Sequence, residues 1–244
     1  MKTIGLIGGM SWESTVTYYR IINETVKERM GGFHSAKLLL YSVDFDIIEK
    51  CQAAGDWEAT ADILTDIAGR LEAAGADFLV LCTNTMHKVA PQIQAGIGIP
   101  FIHIADAAAD ALKARGISRA ALLGTKYTMT QDFYTSKLAD AGIKVLIPNA
   151  EDVETVNSVI YNELCLGKVS GQSKRTFLRI IDGLAAQGAQ GVILGCTEIG
   201  LLIGQEDTAL PVFDTARIHA EKAAILAMED LTDECRHLCR APSL

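Results

Sequence analysis

The chain has 244 residues, 49% of them hydrophobic, and its 22 Lys and Arg against 30 Asp and Glu give a formal net charge of −8. This length suits one large domain or two smaller ones with filled cores, and the negative charge without a basic cluster argues against nucleic acid as a partner. No run approaches the roughly 18 apolar residues that would indicate a membrane span.

Short apolar runs typical of buried strands alternate along the chain with segments of helical periodicity. This alternation predicts an α/β fold in which parallel sheets are flanked by helices. The predicted strands cover residues 3–8, 37–43, 77–81, 99–102, 119–123, 143–147, 191–195 and 211–213. The predicted helices cover residues 11–29, 57–74, 104–115, 128–141, 153–166, 173–187 and 215–228. Four of them end before a glycine, which favours a left-handed helix end, at Gly75, Gly116, Gly142 and Gly188.

The chain also contains an internal doubling. A first strand ends in a glycine turn at Gly8 and again at Gly124, and a later strand ends in a Cys-Thr pair at Cys82 and again at Cys196. We therefore expect two pseudo-symmetric lobes, each a parallel sheet flanked by helices, with the active site in the cleft between them. The expected first lobe comprises residues 1–103 together with about 213–228, the second comprises residues 104–212, and residues 229–244 form a polar tail.

The two Cys-Thr pairs point to proton transfer. A thiol at the carboxyl end of a parallel strand lies where such sheets place their chemistry, and a following helix lowers its pKa. Inverting a carbon centre requires a base on one face and an acid on the other, which two thiols can supply. Hydroxyl and amide groups in the same turns, at Thr83, Asn84, Thr85 and Thr197, are candidates to hold a substrate carboxylate. A single such cysteine is more often a small buried residue, but the doubling favours function.

Several other residues have a less specific interpretation. His87 could pair with a cysteine nucleophile, or equally cap a turn or line the cleft. Cys51 and Cys165 lack the strand-turn context and are predicted to be structural, while Cys235 and Cys239 belong to the polar tail rather than to a metal site. We predict that the cysteines are thiols in a reducing cytoplasm and expect no metal. Neither a dinucleotide-binding glycine pattern nor a Schiff-base lysine with a phosphate cup is present.

Taken together, these motifs closely resemble those of the aspartate/glutamate/hydantoin racemase superfamily, and most closely its broad-specificity amino-acid racemase branch. The matching segments, within about residues 1–228, are 4–11, 82–87, 195–198 and 211–214. The resemblance implies cofactor-independent racemisation of an amino acid by two bases, a two-lobed α/β fold and, frequently, a homodimer. Carried over by position, it makes Cys82 and Cys196 the acid/base pair, with Cys196 deprotonating the L-enantiomer and Cys82 the D-enantiomer.

The same resemblance implies a set of substrate-binding residues. They are Met10, Ser11, Thr83, Asn84, Thr85 and Thr197, with Gln52, Thr125, Thr128 and Thr130 as weaker candidates. Aspartate racemases of the family carry an arginine and a lysine where this chain has Ile47-Ile48 and Leu164-Cys165, although Lys168 lies a turn beyond and could partly substitute. We therefore expect a broad amino-acid range that can include aspartate and glutamate.

Three alternatives remain open at this point. One is hydantoin racemisation, and another is cis-trans isomerisation of a maleate-like diacid through a cysteine nucleophile. The third is a non-catalytic protein that binds a small carboxylate on the same scaffold.

Overall fold

The computed structural model describes residues 1–229, which form two compact units. Unit 1 comprises Met1–Cys82, Val89–His103 and the residues from His219 onward, and unit 2 comprises Thr83–Lys88 and Ile104–Ile218. Each unit contains a four-stranded parallel sheet flanked by helices. The predicted α/β class is therefore confirmed.

The two sheets have the same strand order. Within the described residues the order is β2-β1-β3-β4 in unit 1 and β6-β5-β7-β8 in unit 2. The strand that opens each unit thus lies inside its sheet, with the following strand at an edge. The strands are β1 (Thr3–Gly8), β2 (Lys37–Ser42), β3 (Phe78–Leu81), β4 (Phe101–Ile102), β5 (Arg119–Gly124), β6 (Lys144–Leu146), β7 (Val192–Gly195) and β8 (Val212–Asp214). Every predicted strand is present, with its ends shifted by two residues at most.

The helices follow the prediction with some local differences. They are α1 (Trp12–Met30), α2 (Phe45–Ala54), α3 (Trp57–Ala73), α4 (Ala90–Ala95), α5 (Ile104–Ala114), α6 (Lys126–Thr130), α7 (Asp132–Asp140), α8 (Ala150–Asn162), α9 (Gly171–Ala186) and α10 (Thr215–Met228). Sequence periodicity missed α2 and α4. The single helix predicted over 128–141 is divided at Gln131, whose extended backbone ends α6 and begins α7. Short 3-10 helices span Thr85–Val89, Leu164–Leu166, Ile199–Leu201 and Gln205–Asp207.

The predicted glycine helix ends are confirmed. Gly75, Gly116, Gly142 and Gly188 all have positive φ, between 67° and 97°. An L side chain rarely adopts this conformation, so glycine lets the chain leave each helix and turn back towards the next strand.

The last helix of the described residues, α10, divides between the two units. Its first turn belongs to unit 2, and from His219 onward it belongs to unit 1, where the Lys2 amide donates to the Ala227 carbonyl at 2.9 Å. Unit 2 also includes Thr83–Lys88, which the sequence assigned to the first lobe. The polar tail, with Cys235 and Cys239, lies outside the described residues apart from Glu229. Among residues 1–229, no helix is both long enough and apolar enough to cross a membrane.

Candidate active site

In unit 1, the first predicted cysteine stands where two neighbouring strands end. β1 and β3 are paired with Ile7 opposite Leu81, and the Cys82 amide continues this ladder by donating to the Ile7 carbonyl at 2.9 Å. Cys82 has no exposed surface, and burial raises the pKa of its thiol well above the ordinary value. The thiol is therefore neutral unless a positive charge comes close to it.

The glycine turn after β1 is held by one threonine. The Gly9 amide donates to Thr15 Oγ1 at 2.8 Å, and the same hydroxyl donates to the Ser11 carbonyl at 2.9 Å. Gly9 has φ of +94°, and a Cβ at this position would collide with the backbone of Val43. These contacts fix the predicted site residues Met10 and Ser11, both buried. The remaining candidate in unit 1, Gln52, is buried on α2.

In unit 2, the segment that follows Cys82 is fixed by a buried histidine. His87 Nε2 accepts from the amide of Ile104 at 3.1 Å, so this nitrogen carries no proton, and Nδ1 donates to the carbonyl of Thr83 at 2.7 Å. Both ring nitrogens of His87 are occupied by backbone groups. Of the two roles that the sequence left open, the hydrogen bonds favour a structural one that fixes the turn.

Three predicted substrate-binding threonines lie together in unit 2. Thr125 Oγ1 is 3.0 Å from Thr85 Oγ1 and 3.1 Å from Thr128 Oγ1, and all three residues are buried. Thr125 is also the N-cap of α6, since its hydroxyl accepts from the Thr128 amide. A Cβ at Gly195 would lie 3.3 Å from Thr128 Cγ2, so this cluster lies beside the strand end that leads to Cys196.

The second cysteine has a buried acidic neighbour. Cys196 Sγ donates to Glu198 Oε2 at 2.9 Å, and Thr197 Oγ1 donates to the same oxygen at 2.8 Å. Burial raises the pKa of the Cys196 thiol well above its ordinary value, and the charges of Glu198 and Cys165 raise it further. Glu198 was not among the residues predicted from the sequence, although an acidic residue two positions after Cys196 was a signal that could have identified it.

Asn84 belongs to a second hydrogen-bonded group in unit 2. Its Nδ2 donates to Thr215 Oγ1 at 3.0 Å, and the Thr215 hydroxyl donates to the Leu194 carbonyl on β7 at 2.7 Å. Asn84 and Thr215 are both buried. Asn84 was among the candidates predicted from the sequence, whereas Thr215, 131 residues away, was not.

Two further candidates lie at the surface. Thr130 is exposed, its hydroxyl donates to the Lys126 carbonyl at 2.7 Å, and it lines a surface pocket together with Lys88. Lys168 is exposed in the turn that follows Gly167. The structure records no hydrogen bond between either side chain and the buried groups around the cysteines.

Comparison with known proteins identifies the family. The family model described as Asp/Glu/Hydantoin racemase matches residues 7–223. The chain belongs to this family. It is accordingly an isomerase of the amino-acid racemase class.

Individual members of the racemase family match over nearly their whole length. A candidate Asp/Glu racemase from Yersinia pestis is 54% identical, with 94% of this chain and 100% of that chain covered and a TM-score of 0.88. An aspartate racemase homologue from Pyrococcus horikoshii OT3 is 40% identical with the same coverage and a TM-score of 0.82. The broad specificity amino-acid racemase RacX of Bacillus subtilis is 21% identical over 216 residues, or 87% of this chain and 92% of RacX.

Proposed function

We propose that the chain is an amino-acid racemase that needs no cofactor and uses Cys82 and Cys196 as its two bases. The observation that carries the proposal is the corresponding position of the two cysteines. Cys82 directly follows β3, which pairs with β1, and Cys196 directly follows β7, which pairs with β5. The two sheets have the same strand order, so β3 and β7 occupy corresponding positions. A reaction with two mirror-related proton transfers requires two such groups, and one thiol at the same position in each unit meets this requirement.

In the proposed reaction, Cys196 acts first on the L-enantiomer. Its proton passes to Glu198 Oε2, which already accepts the thiol hydrogen bond. The resulting thiolate removes the α-proton, and Cys82 delivers its own thiol proton to the opposite face of the α-carbon, becoming a thiolate. The D-enantiomer reacts in the reverse direction. The ammonium of a bound amino acid helps to form either thiolate, because a positive charge lowers a thiol pKa that burial has raised.

The carbanion beside the substrate carboxylate needs donors that are already oriented. We propose that the substrate-binding set predicted from the sequence surrounds the substrate and that the hydroxyl groups in this set supply the donors. Its members are Met10, Ser11, Gln52, Thr83, Asn84, Thr85, Thr125, Thr128, Thr130, Lys168 and Thr197. The threonine cluster supports this assignment, because its hydroxyls are buried and mutually oriented. Lys168 is exposed, so within this set it offers a side-chain carboxylate only a solvent-screened cation, which favours a broad range of amino acids.

The test is α-proton exchange. L- and D-amino acids are incubated with the protein in D2O without added cofactor, and inversion and deuterium incorporation are followed by chiral chromatography and mass spectrometry. We expect exchange with several amino acids, and its loss in both Cys82→Ser and Cys196→Ser. Cys51→Ser, a change to a partly exposed cysteine on α2, is the matched control and should retain activity.

Other outcomes would redirect the assignment. Full activity in both active-site serine variants would refute the two-thiol mechanism. A covalent adduct between maleate and one cysteine would favour the cis-trans isomerase. Inversion of hydantoins, without inversion of any amino acid, would favour the hydantoin racemase. Thermal stabilisation by small carboxylates, without isotope exchange across the panel, would indicate a binding protein.

We further propose that the protein is cytoplasmic, where both thiols stay reduced, and that it is a homodimer. Support for a dimer comes from an exposed apolar stripe on α1, formed by Trp12, Val16 and Tyr19, which are 63%, 56% and 54% exposed. Their spacing places them on one helix face. Light scattering should give a dimer mass for the wild type and for Glu24→Gln, and a lower mass for Val16→Glu. A dimer mass for Val16→Glu would exclude this stripe as the interface.

A further inference from the structure

Asn84 carries a buried polar atom that no described residue satisfies. Asn84 is 2% exposed, and its Oδ1 accepts no hydrogen bond from any residue in the described part of the chain. Such an atom loses its contact with water without replacement, which is unfavourable unless a ligand supplies a donor. The position of Asn84, two residues after Cys82, links this atom to the proposed active site.

The orientation of this amide is set by Thr215. The Leu194 carbonyl can only accept, so the single proton of the Thr215 hydroxyl is directed to it at 2.7 Å. The oxygen of Thr215 can then only accept from Asn84, at 3.0 Å, which requires the amide nitrogen rather than the amide oxygen to face it. The relay from Asn84 through Thr215 to β7 therefore directs Oδ1 away from Thr215.

We propose that Thr215 is a positioning residue, which orients Asn84 so that its Oδ1 accepts a hydrogen bond from the substrate ammonium. This inference rests on the proposed function. The chemistry of the ligand follows from the amide, because an oxygen that only accepts attracts an ammonium and repels a carboxylate. The same group disfavours a diacid without an amine, such as the maleate-like substrate of the alternative isomerase.

The experiment compares two ligands that differ in the amine, L-aspartate and succinate. Thr215→Val removes the hydroxyl with little change in shape, and we expect it to raise the KM or Kd for L-aspartate by about tenfold while leaving the Kd for succinate unchanged. Thr215→Ser restores the hydroxyl and should return the L-aspartate value to within about threefold of wild type. Thr60→Val removes another buried threonine hydroxyl, one that donates to the Asp56 carbonyl in unit 1, and should change neither ligand's affinity.

A double-mutant cycle separates positioning from a general structural effect. If Thr215 acts through Asn84, the combination of Thr215→Val with Asn84→Ala should bind L-aspartate no more weakly than Asn84→Ala alone. Should Thr215→Val not fold, Thr215→Ala removes the same hydroxyl at a helix start and takes its place in the cycle.

Three results would overturn the inference: additive effects in the cycle, equal losses for L-aspartate and succinate, or failure of Thr215→Ser to recover binding. The proposed function is judged separately, by α-proton exchange in the wild type. If exchange is absent, the cycle is measured by calorimetric binding of L-aspartate. Two results then overturn the positioning role as well: a Thr215→Val variant that binds as tightly as the wild type, or a wild type with no measurable affinity.

Discussion

Acidification should destabilise unit 1 through one buried histidine. His219 has no exposed surface, its Nε2 donates to the Ile102 carbonyl at 2.9 Å, and its Nδ1 accepts from the Tyr18 hydroxyl at 2.9 Å. Both nitrogens are thus satisfied in the neutral ring. The pKa of His219 is lowered from 6.5 to about 3, chiefly by burial and to a smaller extent by the nearby charges of His103 and Lys222, against the opposing effect of the hydrogen bond to the Ile102 carbonyl.

The sign follows from linkage between protonation and folding. The unfolded chain binds a proton near pH 6.5 and the folded chain does not, so the contribution is complete above pH 6.5 and is lost as the pH falls towards 3. At pH 5 the folded ring is still neutral, and the loss is set by the distance from 6.5, or about 1.5 pKa units. At about 1.4 kcal/mol per unit, the free energy of unfolding should fall by about 2 kcal/mol between pH 7 and pH 5.

Urea unfolding at both pH values provides the assay. In His219→Gln the titrating ring is absent, so subtracting the variant from the wild type cancels the contribution of all other groups. We expect the wild type to lose about 2 kcal/mol more than the variant, and Tyr18→Phe, which keeps the histidine, to lose as much as the wild type. The same pH dependence in the wild type and in His219→Gln would refute the reasoning.

Three further predictions concern the buried groups of unit 2. Tyr134→Phe removes a fully buried hydroxyl without a partner among the described residues, so stability in urea should stay level or rise by about 1 kcal/mol, and a clear loss would contradict this. Gly124→Ala places a Cβ 2.7 Å from the carbonyl oxygen of Gly195 and should lower Tm, whereas Gly183→Ala meets nothing within 4 Å and should leave Tm level or higher; equal shifts would contradict the steric argument. Glu198→Gln removes a charge that raises the Cys196 pKa, so ultraviolet absorbance should detect its thiolate at lower pH than in the wild type, and an unchanged titration would contradict the contact.

Secondary structure could be predicted from the sequence where it depends on a local pattern of residues. The eight strands and the glycine helix ends follow from apolar runs and from the left-handed conformation that glycine allows. The helix α2 was missed because only Ile48 and Gln52 of its side chains are buried, which gives too narrow an apolar face to recognise. The division at Gln131 was missed because its extended backbone interrupts a segment whose helical periodicity continues on both sides.

The candidate site could be predicted only in part, for a similar reason. Cys82 and Cys196 could be singled out as candidates because each follows a strand within its own local motif. Thr215 and Asn84 are 131 residues apart in the sequence, so the spacing of motifs could not predict their hydrogen bond. The assignment of Thr83–Lys88 to unit 2 depends equally on long-range contacts, among them the bond from the Ile104 amide to His87.

The two thiols occupy corresponding positions in the two sheets, but different groups affect their pKa values. This difference can be measured. Burial is the cause of the raised Cys82 pKa, whereas Cys196 is also affected by Glu198. Because two enantiomers have equal free energy, kcat/KM must be the same in both directions for any variant. Glu198→Gln can therefore have different effects on kcat, and on KM, for the two enantiomers, but kcat/KM must stay equal for both. We expect it to alter kcat more for the L-enantiomer, whose α-proton Cys196 removes in the proposed reaction. An equal change in both directions would mean that Glu198 acts on a step common to both enantiomers rather than on the Cys196 thiol.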